Sequence, residues 1–184
     1  MNWNDGNIFY FTDFDDNMES SLVIPLTREI QKQRRLRDGR LDFYINSFGG
    51  YAHLLFNIIE LVEIARRENI VVRTIVPNLA ASAGSMLAIT GTPGERYIGR
   101  TAEHLVHYGT TGGVEETPKQ VERTSAYKSR DFQHRINLYR KYCEIPDLDS
   151  EMMDNGWFIP AAKCLKFKMA DKYIDKFDIG NPED

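Results

Sequence analysis

The chain has 184 residues, 42% of them hydrophobic and 27% charged, a balance that suits a soluble globular protein with a core of its own. Lysine and arginine number 23 against 27 aspartates and glutamates, and the formal net charge of −4 argues against nucleic-acid binding as the main purpose. Two cysteines without metal-ligand spacing, and no apolar run near the ~18 residues of a membrane span, argue against a disulfide framework, a metal site and a membrane anchor.

Taken along the chain, "NIFYFTDF" (7–14) is aromatic and extended and is predicted as the first strand. Residues 15–37 have helical spacing at Met18, Leu22, Ile24, Leu26 and Ile30, with Pro25 limiting the start or kinking the helix. The basic run "KQRRLRDGR" (32–40) is interrupted by Asp38 and is read as a solvated helix end rather than a phosphate site. A strand follows over 40–47, with Leu41, Phe43 and Ile45 on one face, and Gly49-Gly50 breaks it. Residues 51–69 form an amphipathic helix through Leu54, Leu55, Ile58, Ile59, Val62 and Ala65. "IVVRTIVPN" (70–78) is a buried type of strand, ended at Pro77-Asn78. Strand, helix and strand thus repeat, which predicts βαβ units and a largely parallel sheet.

"AASAGSMLAITG" (80–91) is predicted as a short helix of small and apolar residues, followed by a turn and short strand at 92–99 and a strand at 103–109. A glycine-rich stretch, 109–113, comes next. Thr117, Pro118 and Gln120 then have the marks of a helix start, with a cap, a first-turn proline and a glutamine three after the cap. That helix runs to about Cys143. It is polar except for a thin stripe of Phe132, Ile136, Tyr139 and Cys143, which fits either a surface helix with many charge pairs or one that packs against something beyond its own globule. Residues 160–177 close the chain as a helix and a strand. The two lone cysteines, Cys143 and Cys164, suit a reducing compartment, and the first residues lack the basic and apolar pattern of a secretory leader, so a cytoplasmic location is expected.

Ser82 is the residue whose setting raises a chemical question. It lies between alanines at a strand-to-helix junction, where unpaired backbone N–H groups and the helix dipole favour a developing negative charge. A nucleophilic serine also needs a base and oxyanion donors. Gly49 and Gly50 would offer unobstructed N–H groups nearby. The four histidines are His53, His104, His107 and His134; His104 and His107 share one strand at an odd separation and so point to opposite faces. On these features alone the base is not assigned.

"YINSFGG" (44–50), "AASAG" (80–84), "GTPGERY" (91–97) and "HLVHY" (104–108) occur in an order that resembles the Clp-type serine peptidase family, the proteolytic subunit of Clp proteases, over nearly the whole chain. The resemblance implies a single α/β domain over 1–184, a spiral of βαβ units of the Clp protease/crotonase type with a handle helix at 117–143. It implies Ser82 as nucleophile, His107 as general base, and an oxyanion hole from the N–H groups of Gly50 and Ala83, with no metal and no cofactor. It also implies homo-oligomeric rings, heptameric and stacked in pairs, that admit small or unfolded peptide substrates. Ser85, one helical turn past Ser82, is the competing nucleophile, and the register of the resemblance assigns it to helix packing.

Three departures from the family qualify this. Gly156 falls where the family has its catalytic aspartate. Asp154, two residues earlier, is expected to take that role, ahead of a dyad or Asn155 and then of an inactive site. Almost nothing precedes the first strand where ATPase-dependent members carry an entrance segment, and Asp42 stands at an aromatic position of the docking surface although Tyr44 is kept; both argue against reliance on an AAA+ unfoldase. Gly109 replaces a proline after the histidine, which would alter the specificity pocket, and Lys168 replaces a glycine in the final helix. The short start is also similar to phage and prophage members of the family. The alternative to a peptidase is a catalytically degenerate ring subunit with a structural or regulatory role, and behind it acyl-CoA chemistry on the related crotonase fold.

Overall fold

A computed structural model describes residues 2–107, 118–148 and 156–175, with the backbone alone for Trp3 and residues 118–128. The predicted stretch 109–113, the Thr117 cap, Asp154, Asn155 and the last residues of the closing strand lie outside the described residues.

The main sheet has six strands: β1 (Trp3–Asp5), β2 (Ile8–Phe11), β3 (Arg40–Ile45), β4 (Val71–Val76), β6 (Arg96–Ile98) and β9 (Lys172–Tyr173), in that spatial order. All neighbours are parallel except β1 and β2, which form a hairpin. A second sheet of β5 (Leu79–Ala81), β7 (Glu103–Val106) and β8 (Trp157–Pro160) stands beside it, with β5 parallel and β8 antiparallel to β7. A single bridge between Ser47 and Ala80 joins the end of β3 to β5. Helices α1 (Ile24–Gln33) and α2 (Ala52–Arg67) are the βαβ crossovers. The short α3 (Ala83–Ala88) follows β5, α4 (Pro118–Tyr142) is the long helix, and α5 (Ala161–Lys166) follows β8. Parallel sheets need such crossovers, and the helices cover faces that would otherwise expose apolar strands.

Side-chain periodicity accounts for the layers. Leu41, Phe43 and Ile45 are fully buried on one face of β3, alongside Phe9 and Phe11 of β2. The predicted stripe of α2, from Leu54 to Ala65, is buried against them. The opposite face of β3 carries Asp42, 2% exposed because Arg73 across the parallel register grips its carboxylate at 3.0 and 2.8 Å. On α4 the stripe residues Ile136, Tyr139 and Cys143 are buried and Phe132 is half-buried, so the last turns of this helix pack on the core of the same chain.

Four elements differ from expectation. The stretch 7–14, predicted as the first strand, holds the second, since Trp3–Asp5 precedes it as β1 and pairs with it. The segment predicted as one helix over 15–37 begins with a π-helical turn, Glu19–Val23, and becomes α-helical at Ile24 with Pro25 in the first turn, where a missing N–H is harmless. Residues 79–81 form β5 rather than leading straight into a helix, and 157–160 form β8. Both are too short for an alternating pattern to register; their pairing with β7 creates them.

Candidate active site

Ser82 occupies the N-cap of α3 with φ 54° and ψ −118°, a conformation that few side-chain-bearing residues adopt. Its strand and its helix leave no alternative: β5 hands over directly to α3, and the chain reverses within one residue. The sharp turn lifts a half-buried side chain off the end of the sheet. Ala83, the first residue of α3, has an N–H beyond reach of any intrahelical carbonyl.

Against this turn lies the Gly49-Gly50 segment. A Cβ on Gly49 would stand 2.7 Å from Ser82 Cβ and 3.1 Å from the Ala83 nitrogen, so only glycine permits the approach. Gly50 has φ 140°, and a Cβ there would collide with the Phe14 carbonyl at 2.3 Å. Phe14 and Tyr51 hold the segment through Phe14 N–H to Gly49 O at 3.0 Å and Tyr51 N–H to Phe14 O at 2.8 Å. Phe48 beside it is 83% exposed.

On the other side, the Ser82 N–H donates to Leu105 O at 2.9 Å, continuing the β5–β7 ladder in which Ala81 faces Leu105. His107 is two residues further along, on the same side of the chain as Leu105 and half-buried. Its pKa is lowered from the ordinary 6.5, by burial first and then by the positive charge of Arg135 on α4. The ring is therefore neutral at pH 7 and able to accept a proton. Gly156 sits across from it where β8 begins, with φ 95°, and a Cβ there would meet Leu105 Cδ1 at 3.0 Å and His107 Cβ at 3.4 Å. The position that borders the imidazole thus has no side chain to offer. Asp154 and Asn155, predicted to replace it, lie outside the described residues.

The other three histidines end elsewhere. His53 stacks on Tyr51 with ring centroids 5.7 Å apart, and His134 lies on α4 with its ring edge toward Phe56 at 6.3 Å. His104 faces the core, as its odd separation from His107 requires. There it meets Ser85, whose Oγ is 2.9 Å from His104 Nδ1, and Tyr139 donates to the same Oγ at 2.9 Å. Sequence reasoning placed Ser85 in the packing and missed this trio; the faint signal was polar residues at two core-facing positions. Arg135 was missed as well, since nothing local shows that α4 crosses near β7. Among the described residues, no group of three His, Cys, Asp or Glu side chains could hold a metal ion, and no helix is long and apolar enough to cross a membrane.

Strand–helix–strand layers, with a serine of positive φ at a strand-to-helix junction flanked by glycine backbone and a histidine strand, define an α/β protein with a candidate site at Ser82. A family model described as Clp protease matches residues 3–176. An ATP-dependent Clp protease proteolytic subunit of Streptococcus mutans is 26% identical over 168 residues, covering 90% of this chain and 82% of the relative. Proteins of the same name from Streptococcus pyogenes serotypes M5 and M1 are each 30% identical over the same shares of both chains. The chain belongs to the Clp protease family, and its mixed α/β fold around a mostly parallel sheet is of that kind.

Proposed function

We propose that this chain is a serine endopeptidase in which Ser82 attacks, His107 serves as general base and then acid, and the N–H groups of Gly50 and Ala83 hold the oxyanion. The observation that carries the reading is the Ser82 turn, bonded to β7 two residues ahead of His107 and overlaid by Gly49. His107 takes the Ser82 proton as Oγ bonds to the peptide carbonyl carbon, and the carbonyl oxygen becomes an oxyanion beside the two N–H groups. Collapse breaks the C–N bond, His107 returns the proton to the leaving amine, and water repeats the sequence on the acyl-enzyme. Asp154, two residues before Gly156 in the sequence, is the orienting acid in this reading.

The proposal extends to one Clp-peptidase-like domain over 1–184 that assembles with its own copies into stacked heptameric rings, α4 acting as the handle. Its substrates are small or unfolded peptides, and its location is the cytoplasm, which the two free thiols of Cys143 and Cys164 suit. Asp42, bound to Arg73 where the resemblance has an aromatic docking residue, supports independence from an AAA+ unfoldase.

A fluorophosphonate probe with peptide mapping tests the reading. Labelling at Ser82, lost in Ser82→Ala and His107→Ala, is expected. Asp154→Ala should lower kcat steeply, by up to about 10⁴ where an orienting acid is lost; an unchanged kcat removes Asp154 from the site. A folded protein that takes no label anywhere overturns the peptidase reading and leaves a ring subunit without catalysis.

A further inference from the structure

Behind the proposed catalytic pair lies a second serine and histidine that face the opposite way. Ser85 is one turn past Ser82 on α3, and His104 is three residues before His107 on β7. Tyr139 reaches them from α4, completing the Tyr139–Ser85–His104 chain of two 2.9 Å contacts. The three residues are 0–1% exposed. Tyr139 donates to Ser85, the Ser85–His104 contact runs in the direction the ring's tautomer sets, and in either tautomer His104 Nε2 is a buried polar atom with no partner among the described residues. Burial holds the ring neutral, with its pKa down at about 3.

An orphaned buried polar atom costs about 1–3 kcal/mol, a penalty that three apolar side chains would avoid. What such a network supplies instead is a single relative placement of the elements it joins. The elements here are α3, whose N-cap is Ser82; β7, which leads into His107; and α4. We propose, resting on the peptidase reading above, that Ser85, His104 and Tyr139 are positioning residues that lock nucleophile helix, base strand and α4 into the one arrangement in which Ser82 and His107 meet.

Arg135 makes this arrangement measurable. It lies one turn before Tyr139 on α4, and its charge acts on His107. Among the described residues, Arg135, with its partner Asp131, is the charge that α4 presents there, while the β8 side presents Gly156. Freeing α4 from Ser85 therefore changes the charge felt by the base as well as its distance from the nucleophile.

The test uses the full chain, a fluorogenic peptidyl-coumarin substrate and the fluorophosphonate probe. Tyr139→Phe keeps the ring and removes the donor. The expected result is a kcat lower by roughly tenfold, since small misplacements of a catalytic pair are costly, with KM unchanged. The acid-side midpoint of the kcat/KM profile should also move up toward 6.5. Ser85→Ala should lower both the melting temperature and kcat. Adding His104→Leu and Tyr139→Phe together removes the remaining unpaired polar atoms, so the melting temperature recovers while kcat stays low. Recovery of kcat together with the melting temperature, or an unmoved kcat and pH midpoint in Tyr139→Phe, overturns the positioning role and leaves the peptidase reading standing. A wild-type chain that takes no label at Ser82 overturns both.

Discussion

At Ser82 the backbone is held at φ 54° by its neighbours, not by its own preference. The N–H to Leu105 O bond ties it to β7, the Met86 N–H to Ser82 O bond starts α3, and Gly49 packs on its Cβ. A non-glycine residue in such a region costs on the order of 1–3 kcal/mol and persists only when the surroundings over-determine it. Glycine tolerates the same angles without a Cβ penalty. Ser82→Gly and Ser82→Ala both remove the hydroxyl, so their difference is the strain relieved less about 0.4–1 kcal/mol, the cost of glycine's freedom in the unfolded chain. With about 1 kcal/mol of that difference in favour of glycine, Ser82→Gly should melt about 2–4 °C above Ser82→Ala, the shift expected for a chain of this size, while neither takes the probe. A melting temperature lower in Ser82→Gly than in Ser82→Ala in calorimetry would mean that the turn is unstrained and the serine has no conformational signature of a nucleophile. Gly156 shows the reverse case: its φ of 95° and the closeness of a Cβ there to Leu105 and His107 explain a glycine structurally.

Element ends follow the same logic. The last turn of α5 closes with Met169 N–H to Cys164 O at 2.8 Å and Lys168 N–H to Leu165 O at 3.2 Å, the paired bonds of a Schellman cap, and Lys168 takes the left-handed position with φ 55°. Asn69 does the same after α2, where asparagine is a tolerated substitute. Lysine is not, and its exposed ion pair with Glu144 returns at most about 0–1 kcal/mol. Lys168→Gly is therefore expected to raise the melting temperature by about 2–4 °C, on relief of about 1 kcal/mol, whereas Lys168→Ala, which keeps the strain and loses the pair, should not; a fall in Lys168→Gly would contradict the cap argument. The helices α2 and α4 and the strands β3 and β4 were legible because each repeats its pattern over six residues or more, and β2 because it lies in an aromatic run. The strands β1, β5 and β8, of three or four residues, were not, since long-range pairing alone makes them strands. For the site, "AASAG" and the glycine pair were visible as small residues at a junction. His107 was not separable from three other histidines until the resemblance of ordered motifs was added, because a base is defined by what folds next to it and not by its own neighbours in sequence.

Over the whole molecule, the burial of His104 couples core packing to pH. The folded chain binds no proton there until the pH nears about 3, whereas the unfolded chain binds one near the ordinary 6.5. The contribution of a neutral His104 is complete above pH 6.5 and declines as the pH falls through the window from 6.5 to about 3, with a limiting slope of about 1.4 kcal/mol per pH unit. His107, also lowered, adds in the same direction and starts from the same unfolded value. The paired carboxylates act later: Asp171, held below its ordinary 3.8 through the Arg96 guanidinium and the N–H groups of Gly94 and Arg96 despite burial, loses its contribution only on more acidic titration. Between pH 6.5 and 4.5 the two histidines therefore set the slope. Urea midpoints at pH 7, 6 and 5, taken at one protein concentration, should fall steeply in the wild-type chain and less steeply in Ser85→Ala/His104→Leu. Parallel slopes for the two proteins would show that His104 takes up its proton in the folded state, and with it that the Tyr139–Ser85–His104 chain opens in mild acid instead of holding its elements together.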